Sequence, residues 1–161
     1  MTEWSESDQQ MMRLAIDLAR EAGKAGEVPI AAVVSRNEEV ISTAMNRKER
    51  QGDATAHAEL LAIQEACRKL GLPYLENCCL YVSLEPCAMC AGAIVHARVP
   101  RLVFAASDPK TGACGSITNI FQLGLNHTPL VQKGLMEEEA SKLLKEFFQK
   151  RRAEQKERRA L

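Results

Sequence analysis

The blocks His57-Ala58-Glu59 and Pro86-Cys87-Ala88-Met89-Cys90 constrain this chain more than anything else in it, because each carries metal-ligand residues that the other lacks. Segments thirty positions apart, counted from His57 to Cys87, must fold to one point. One His and two Cys supply three ligands and leave a fourth position open. Structural zinc sites are normally closed by four protein ligands, whereas catalytic sites hold three and a water. Glu59 stands beside the His ligand as a carboxylate able to handle that water's protons. The spacing predicts zinc-assisted hydrolysis rather than a zinc staple. A staple would need His96 or His127 as fourth ligand, and His96 lies six residues past Cys90 on a predicted helix, too far along to share the site.

Both blocks fall where a helix should begin. Cys87 and Cys90, three apart, share one side of a first turn, where unpaired backbone N–H groups favour the thiolates that a metal requires. Pro86 opens the predicted helix without losing a needed donor. His57 and Glu59 are two apart, about 200° around a regular helix. They can serve one site only if His57 lies at an irregular helix start.

A chain of 161 residues, 46% hydrophobic and 26% charged, reads as one soluble domain over 1–161. The polar, acidic N-terminus is no targeting peptide, and no apolar run approaches a membrane span, so a cytoplasmic protein is expected. Six cysteines without a secretory signal argue for reduced thiols or a metal. Cys67, Cys78, Cys79 and Cys114 show no mutual ligand spacing and read as buried small hydrophobes. Net charge is zero, but between Lys142 and Arg159 eight basic residues face only Glu146, Glu154 and Glu157. That segment suits a phosphate partner, and equally a solvated helix end.

The order of elements gives the fold class. Ser5-x-x-Asp8 starts a helix that Gly23 stops; 28–46 reads as a hairpin turning at Asn37-Glu38; Thr55–Leu70 reads as a helix. Cys79–Ser83 is a strand, followed by a helix from Pro86 to about His96, and Leu102–Ala106 is a strand. Leu130-Val131 is a short fifth strand before a basic helix from about 137. Strands and helices alternating in this way predict a mixed, about five-stranded sheet with helices on both faces, a three-layer α/β/α domain.

His57-Ala58-Glu59 with Pro86-Cys87-x-x-Cys90 resembles the signature of the zinc nucleoside and nucleobase deaminases. A narrower resemblance runs through Asp53–Glu59, Leu84–Ile94, Asp108–Ala113 with Gly115-Ser116, Asn126-His127 and Phe147-Phe148-x-x-Arg151-Arg152. That set is similar to the bacterial tRNA-specific adenosine deaminase family along nearly the whole length. The resemblance implies a cytidine-deaminase-like fold. It also implies hydrolysis of adenosine to inosine at the wobble position of an arginine tRNA, in a homodimer with one zinc per subunit. It makes His57, Cys87 and Cys90 the metal ligands and Glu59 the proton shuttle, with the Glu85 carbonyl region aiding ammonia release.

Asn46 matches the family asparagine that hydrogen-bonds the flipped nucleotide; otherwise it reads as a strand-ending turn residue. Val28 and Ala58 would shape the base pocket, or simply pack. Asp108 reads first as a turn former, and by family position as an RNA contact. Lys110, Asn126, Phe148, Arg151 and Arg152 are candidates for gripping the anticodon loop, although Phe148 reads first as core. Arg47 is either a phosphate contact or solvated, and Ser107 stands where some relatives carry a basic residue. Two other readings share parts of this pattern: a free nucleobase or nucleotide deaminase, and a zinc-stabilised binding module without turnover.

Overall fold

The computed structural model describes residues 3–161. Ser5 and Asp8 form a capping box: the Ser5 hydroxyl accepts the Asp8 amide at 2.9 Å, and the Asp8 carboxylate accepts the Ser5 amide at 3.1 Å. Helix α1 (Glu6–Lys24) then buries Met11, Met12, Ala15, Ile16, Ala19 and Ala22 along one stripe.

Strands β1 (Ala31–Arg36) and β2 (Glu39–Met45) make the expected hairpin. Asn37 and Glu38 sit at φ 52° and 64°, the pair of left-handed residues that a two-residue turn between twisted strands requires. The first strand starts at Ala31 rather than Val28. The Ile30 amide turns back to the Val28 carbonyl at 2.8 Å, and Pro29 has no amide to offer a sheet.

A short helix α2 (Lys48–Gln51) follows, which the sequence pattern did not suggest. Helix α3 (Ala58–Leu70) begins three residues later than expected. Asp53 takes both the Thr55 amide, at 2.8 Å, and the Thr55 hydroxyl, at 2.7 Å, a local turn that competes with helix. Strand β3 (Cys78–Leu84), helix α4 (Ala88–His96), strand β4 (Arg101–Ala106), strand β5 (Leu130–Lys133) and helix α5 (Glu137–Ala160) complete the chain.

The sheet order is β2-β1-β3-β4-β5. β1 runs antiparallel to β2 and β3, while β3, β4 and β5 are parallel. Side chains alternate across the sheet. Ala32, Val34, Leu80, Val82, Leu102 and Phe104 therefore pack towards α3 and α4. Val33, Tyr81, Val103 and Ala105 pack towards α1 and α5. The result is the expected three-layer α/β/α arrangement. Cys78 and Cys114 are buried in it and Cys67 and Cys79 partly so, all four as free thiols.

Beneath α1, the Asp8 carboxylate accepts the Tyr81 hydroxyl at 2.6 Å and the Arg101 guanidinium at 2.7 and 3.1 Å. The Arg101 hydrogen bonds hold the Asp8 carboxyl well below the usual carboxylate range. The carboxyl-terminal ends of β3 and β4 lie at the opposite end of these strands from Arg101. In open α/β sheets, this is where ligand sites form.

Candidate active site

Helices α3 and α4 begin on the metal-ligand residues themselves. His57 is the residue before α3, at φ −83° and ψ 145°. Cys87 is the residue before α4, at φ −74° and ψ 177°. Both are extended, so His57 is off the helical path and Glu59, second in α3, can share its site. Pro86 consequently lies outside α4 instead of opening it.

Cys87 Sγ is 3.7 Å and Cys90 Sγ 3.5 Å from His57 Nδ1. A tetrahedral ion bonded at ~2.0–2.1 Å to nitrogen and ~2.3 Å to sulfur sets an N···S edge of about 3.6 Å. The three side chains fit such an ion without rearrangement. Among the described residues no fourth His, Cys, Asp or Glu joins the group. His96 ends α4, and His127 places Nε2 2.6 Å from the Val99 carbonyl. Neither closes the site.

The ligands polarise one another. The hydrogen bond with Cys90 pushes the Cys87 thiol down to about 4, against its burial and helped by His57. Cys90 moves upward, because the Cys87 thiolate faces it and it is itself buried. Cys87 in turn raises His57. Glu59 is 4% exposed, and burial pushes its carboxyl up to about 6. A carboxyl poised there can both take and return a proton near neutrality.

Glu85 is buried, and its carboxylate is spent on the loop after β4. It accepts the amides of Asp108 at 3.1 Å, Cys114 at 3.0 Å and Ser116 at 3.1 Å, together with the Ser116 hydroxyl. The side chain is thus a clasp for residues 108–116, and only its backbone remains for the role that the resemblance assigns. Asp108 likewise turns its carboxylate on its own loop, accepting the Lys110 amide at 3.0 Å and the Thr111 amide and hydroxyl at 3.2 and 2.6 Å.

That loop forms one wall of a cleft of about 460 Å³. The cleft brings together five residues singled out from sequence: Val28, Asp108, Lys110, Phe148 and Arg152. Phe148 is 38% exposed, so it is not core. Its neighbour Phe147 is half-buried beside Gly23 instead. Four other candidates lie elsewhere. Asn126 lines a separate hollow with Tyr74, His96 and Arg98 near the end of α4. Arg151 reaches Glu49 at 3.5 Å and lies over the Phe147 ring. Ala58 is fully buried in the core between α3 and the sheet. Asn46 follows β2, with its amide on the Ile30 carbonyl at 3.0 Å.

Two contributors gave no sequence signal. Lys145 joins the cleft from α5, one cation among many in that helix. Glu27, 1% exposed, accepts the Glu49 amide at 2.6 Å and the Arg50 amide at 3.3 Å. It thereby pins α2, which starts two residues after Asn46. A lone acid before Val28-Pro29 reads as solvated, and only the fold turns it inward.

This three-layer fold, with an open His-Cys-Cys group and a buried glutamate at its helix starts, defines a deaminase of cytidine-deaminase-like architecture. Residues 6–152 match the MafB19-like deaminase family. A tRNA-specific adenosine deaminase of Haemophilus influenzae is 48% identical over 161 residues, spanning 98% of this chain and 92% of the relative. A solved tRNA:A34 deaminase, studied for A-to-I editing at the wobble position of transfer RNA, matches with a TM-score of 0.82 and 46% identity over 84% of this chain and 99% of that one. A guanine deaminase from Nitrosomonas europaea shares the fold with a TM-score of 0.76 and 28% identity, over 91% and 86%. Within this class, the chain belongs to the family of tRNA-specific adenosine deaminases.

Proposed function

We propose that this protein hydrolyses adenosine to inosine at wobble position 34 of a tRNA anticodon, with an arginine tRNA as substrate, releasing ammonia. The observation that carries the reading is Glu59, a buried carboxyl held beside a three-ligand His57-Cys87-Cys90 group whose spacing fits a tetrahedral metal. That donor set favours zinc. A zinc ion held there would acidify a water so that it can act as nucleophile near neutral pH.

Glu59 takes the proton of the water attacking C6 of adenine and delivers it to ring nitrogen N1. It then moves a second proton to the departing amino group, so adenosine and water become inosine and ammonia. The Glu85 backbone, at the end of β3, lies on the route by which ammonia leaves. Val28 and Ala58 shape the base pocket and Asn46 hydrogen-bonds the flipped nucleotide. Asp108, Lys110, Phe148 and Arg152 hold the loop around it, and Arg151 and Asn126 add contacts outside the cleft. A base must leave its stack to reach a buried site, and an anticodon loop unstacks at lower cost than a duplex.

Lys110, Lys145 and Arg152 around the cleft support RNA over a free base, since a free base offers no phosphates to them. We read residues 1–161 as one domain acting in the cytoplasm as a homodimer with one zinc per subunit. Exposed Ile117, Leu123 and Leu130, at 59–65%, offer apolar side chains that a partner subunit would cover. Among the described residues no helix is long and apolar enough to cross a membrane.

Incubating the zinc-loaded protein with arginine tRNA, and separately with guanine, cytosine and their nucleotides, tests the reading. Inosine in the tRNA and equimolar ammonia are expected. Deamination of free bases alone would reassign it to the guanine-deaminase type of activity, and no ammonia from any substrate would leave a binding module.

A further inference from the structure

Cys90 and Cys87 are held in different ways. Cys90 lies within α4 and is fully buried, and the packing of Ala91, Ile94 and Val95 into the core fixes that helix. Cys87 precedes the helix and is only partly buried, so its thiol goes where the chain entering α4 carries it. The two residues before Cys87 control that entry. The Glu85 amide donates to the Ala106 carbonyl at 2.8 Å, which ties the end of β3 to β4. Pro86 has a ring-locked φ, and its carbonyl accepts the Ala113 amide at 2.9 Å and the Cys114 thiol at 3.7 Å. The peptide unit is planar, so these bonds orient the whole link between Pro86 and Cys87.

Ala113 and Cys114 belong to the loop after β4, and Glu85 sets that loop from inside. Its carboxylate accepts the Asp108 amide on one side of Ala113, and on the other the Cys114 and Ser116 amides with the Ser116 hydroxyl. The path is closed: it leaves the chain at the Glu85 side chain, crosses the loop, and returns at the Pro86 carbonyl. We propose that Glu85 is a positioning residue for Cys87, acting through the 108–116 loop and the Pro86 carbonyl to hold the thiol where a metal needs it. This rests on the reading of His57, Cys87 and Cys90 as a metal site, and adds to it a residue outside that group. Glu85 is 3% exposed and spends its oxygens on loop donors, so its part is to position rather than to react. Metal–ligand distances tolerate only about ±0.2 Å, so a small turn of the Pro86–Cys87 link would spoil the 3.7 Å spacing of Cys87 Sγ from His57 Nδ1.

Two metal readouts on the full chain test this. One is zinc affinity, by competition with a chromophoric chelator. The other is the absorption spectrum of the cobalt-substituted protein, whose visible and charge-transfer bands report tetrahedral thiolate coordination. Glu85→Gln keeps the side-chain shape but turns amide protons towards some of the loop donors. It should weaken zinc binding about 10–100-fold and dim the cobalt bands. Ser116→Ala removes only the hydroxyl and should shift both readouts the same way, by less. If Glu85→Gln fails to fold, Ser116→Ala still decides. Asp8→Asn removes another buried acid, one that bonds Tyr81 and Arg101, and should lower Tm while leaving both metal readouts in place.

Wild-type zinc affinity in Glu85→Gln and Ser116→Ala would overturn the proposal. So would an equal loss in Asp8→Asn, which would show general destabilisation. Wild-type protein that takes up neither metal would remove the metal reading and the positioning role together. Neither readout uses turnover, so failure of the deamination assay and failure of the Glu85 role remain separate results.

Discussion

Gly112 lies so close to Glu85 that a Cβ built on it would overlap the Glu85 carboxyl and come 2.5 Å from the Asp108 carbonyl oxygen. The same carboxyl gathers the amides of Asp108, Cys114 and Ser116. One buried acid thus shapes the loop that forms a wall of the cleft, and a missing side chain makes room for it. Gly112→Ala should cost about 1–3 kcal/mol by overpacking. It should also raise KM for tRNA more than it lowers kcat, since Asp108 and Lys110 move with the loop. Thermal melts and steady-state kinetics check both parts.

Glu59→Gln keeps the side-chain volume but cannot carry protons. Deamination should fall by about 10²–10⁴-fold, with zinc content by elemental analysis and far-ultraviolet circular dichroism unchanged. Activity near wild type would remove Glu59 from the proton path.

Removing the metal with a chelator should abolish turnover, and zinc should restore it. The same treatment should expose Cys87 as a reactive thiol, because its neighbours push it down to about 4 and it is a thiolate at pH 6. Iodoacetamide with peptide mass mapping should modify Cys87 before Cys78 or Cys114, which burial pushes upward. Bound zinc should protect it. If Cys87 labels no faster than Cys114 in the chelated protein, the polarised ligand cluster is wrong.

Stability should depend on acid through Asp8. Its carboxyl is depressed chiefly by Arg101, so its contribution is complete above the unfolded value near 4 and is lost as pH falls towards the folded one. Asp8→Asn should lower stability at pH 7 by about 2–3 kcal/mol, less than a fully buried pair, because the Arg101 side chain is 27% exposed. The difference in Tm between variant and wild type should narrow as pH drops below about 4. A constant difference from pH 7 to 3 would contradict the Asp8–Arg101 linkage.

Glu27→Ala should leave the α2 amides that it now satisfies without their buried acceptor, at about 1–3 kcal/mol. Hydrogen exchange at Glu49 and Arg50 should speed up, and KM should rise because Asn46 lies two residues before this segment. Glu27→Gln, which keeps one acceptor oxygen, should recover part of both effects.

The His57-Cys87-Cys90 group that could hold a metal was legible in the chain because its chemistry is carried by residue type and short spacing. Cys87 and Cys90 lie three apart at a helix start, and His57 with Glu59 poses a geometric condition that an extended His57 satisfies. The layer order was legible for a similar reason, since alternating patterns of period two and 3.6 mark which face each segment buries. Helix starts were less so: Thr55 belongs to an Asp53 turn, and Pro86 precedes the helix it was expected to open.

What only the tertiary structure decided is which side chains share a surface. Val28, Asp108, Lys110, Phe148 and Arg152 are separated by up to 124 positions, yet line one cleft, while Arg151, next to Arg152, faces another groove. A helix turns neighbouring residues by about 100°, so adjacency in the chain does not mean adjacency on the surface. Glu27 and Glu85 are ordinary acids in the sequence, and only the amides folded around them make them clasps. The sequence alone determined the residue types of the group that could hold a metal. The packing of α5 and the 108–116 loop against the sheet decided which side chains line the cleft, because it depends on long-range contacts that no local pattern encodes.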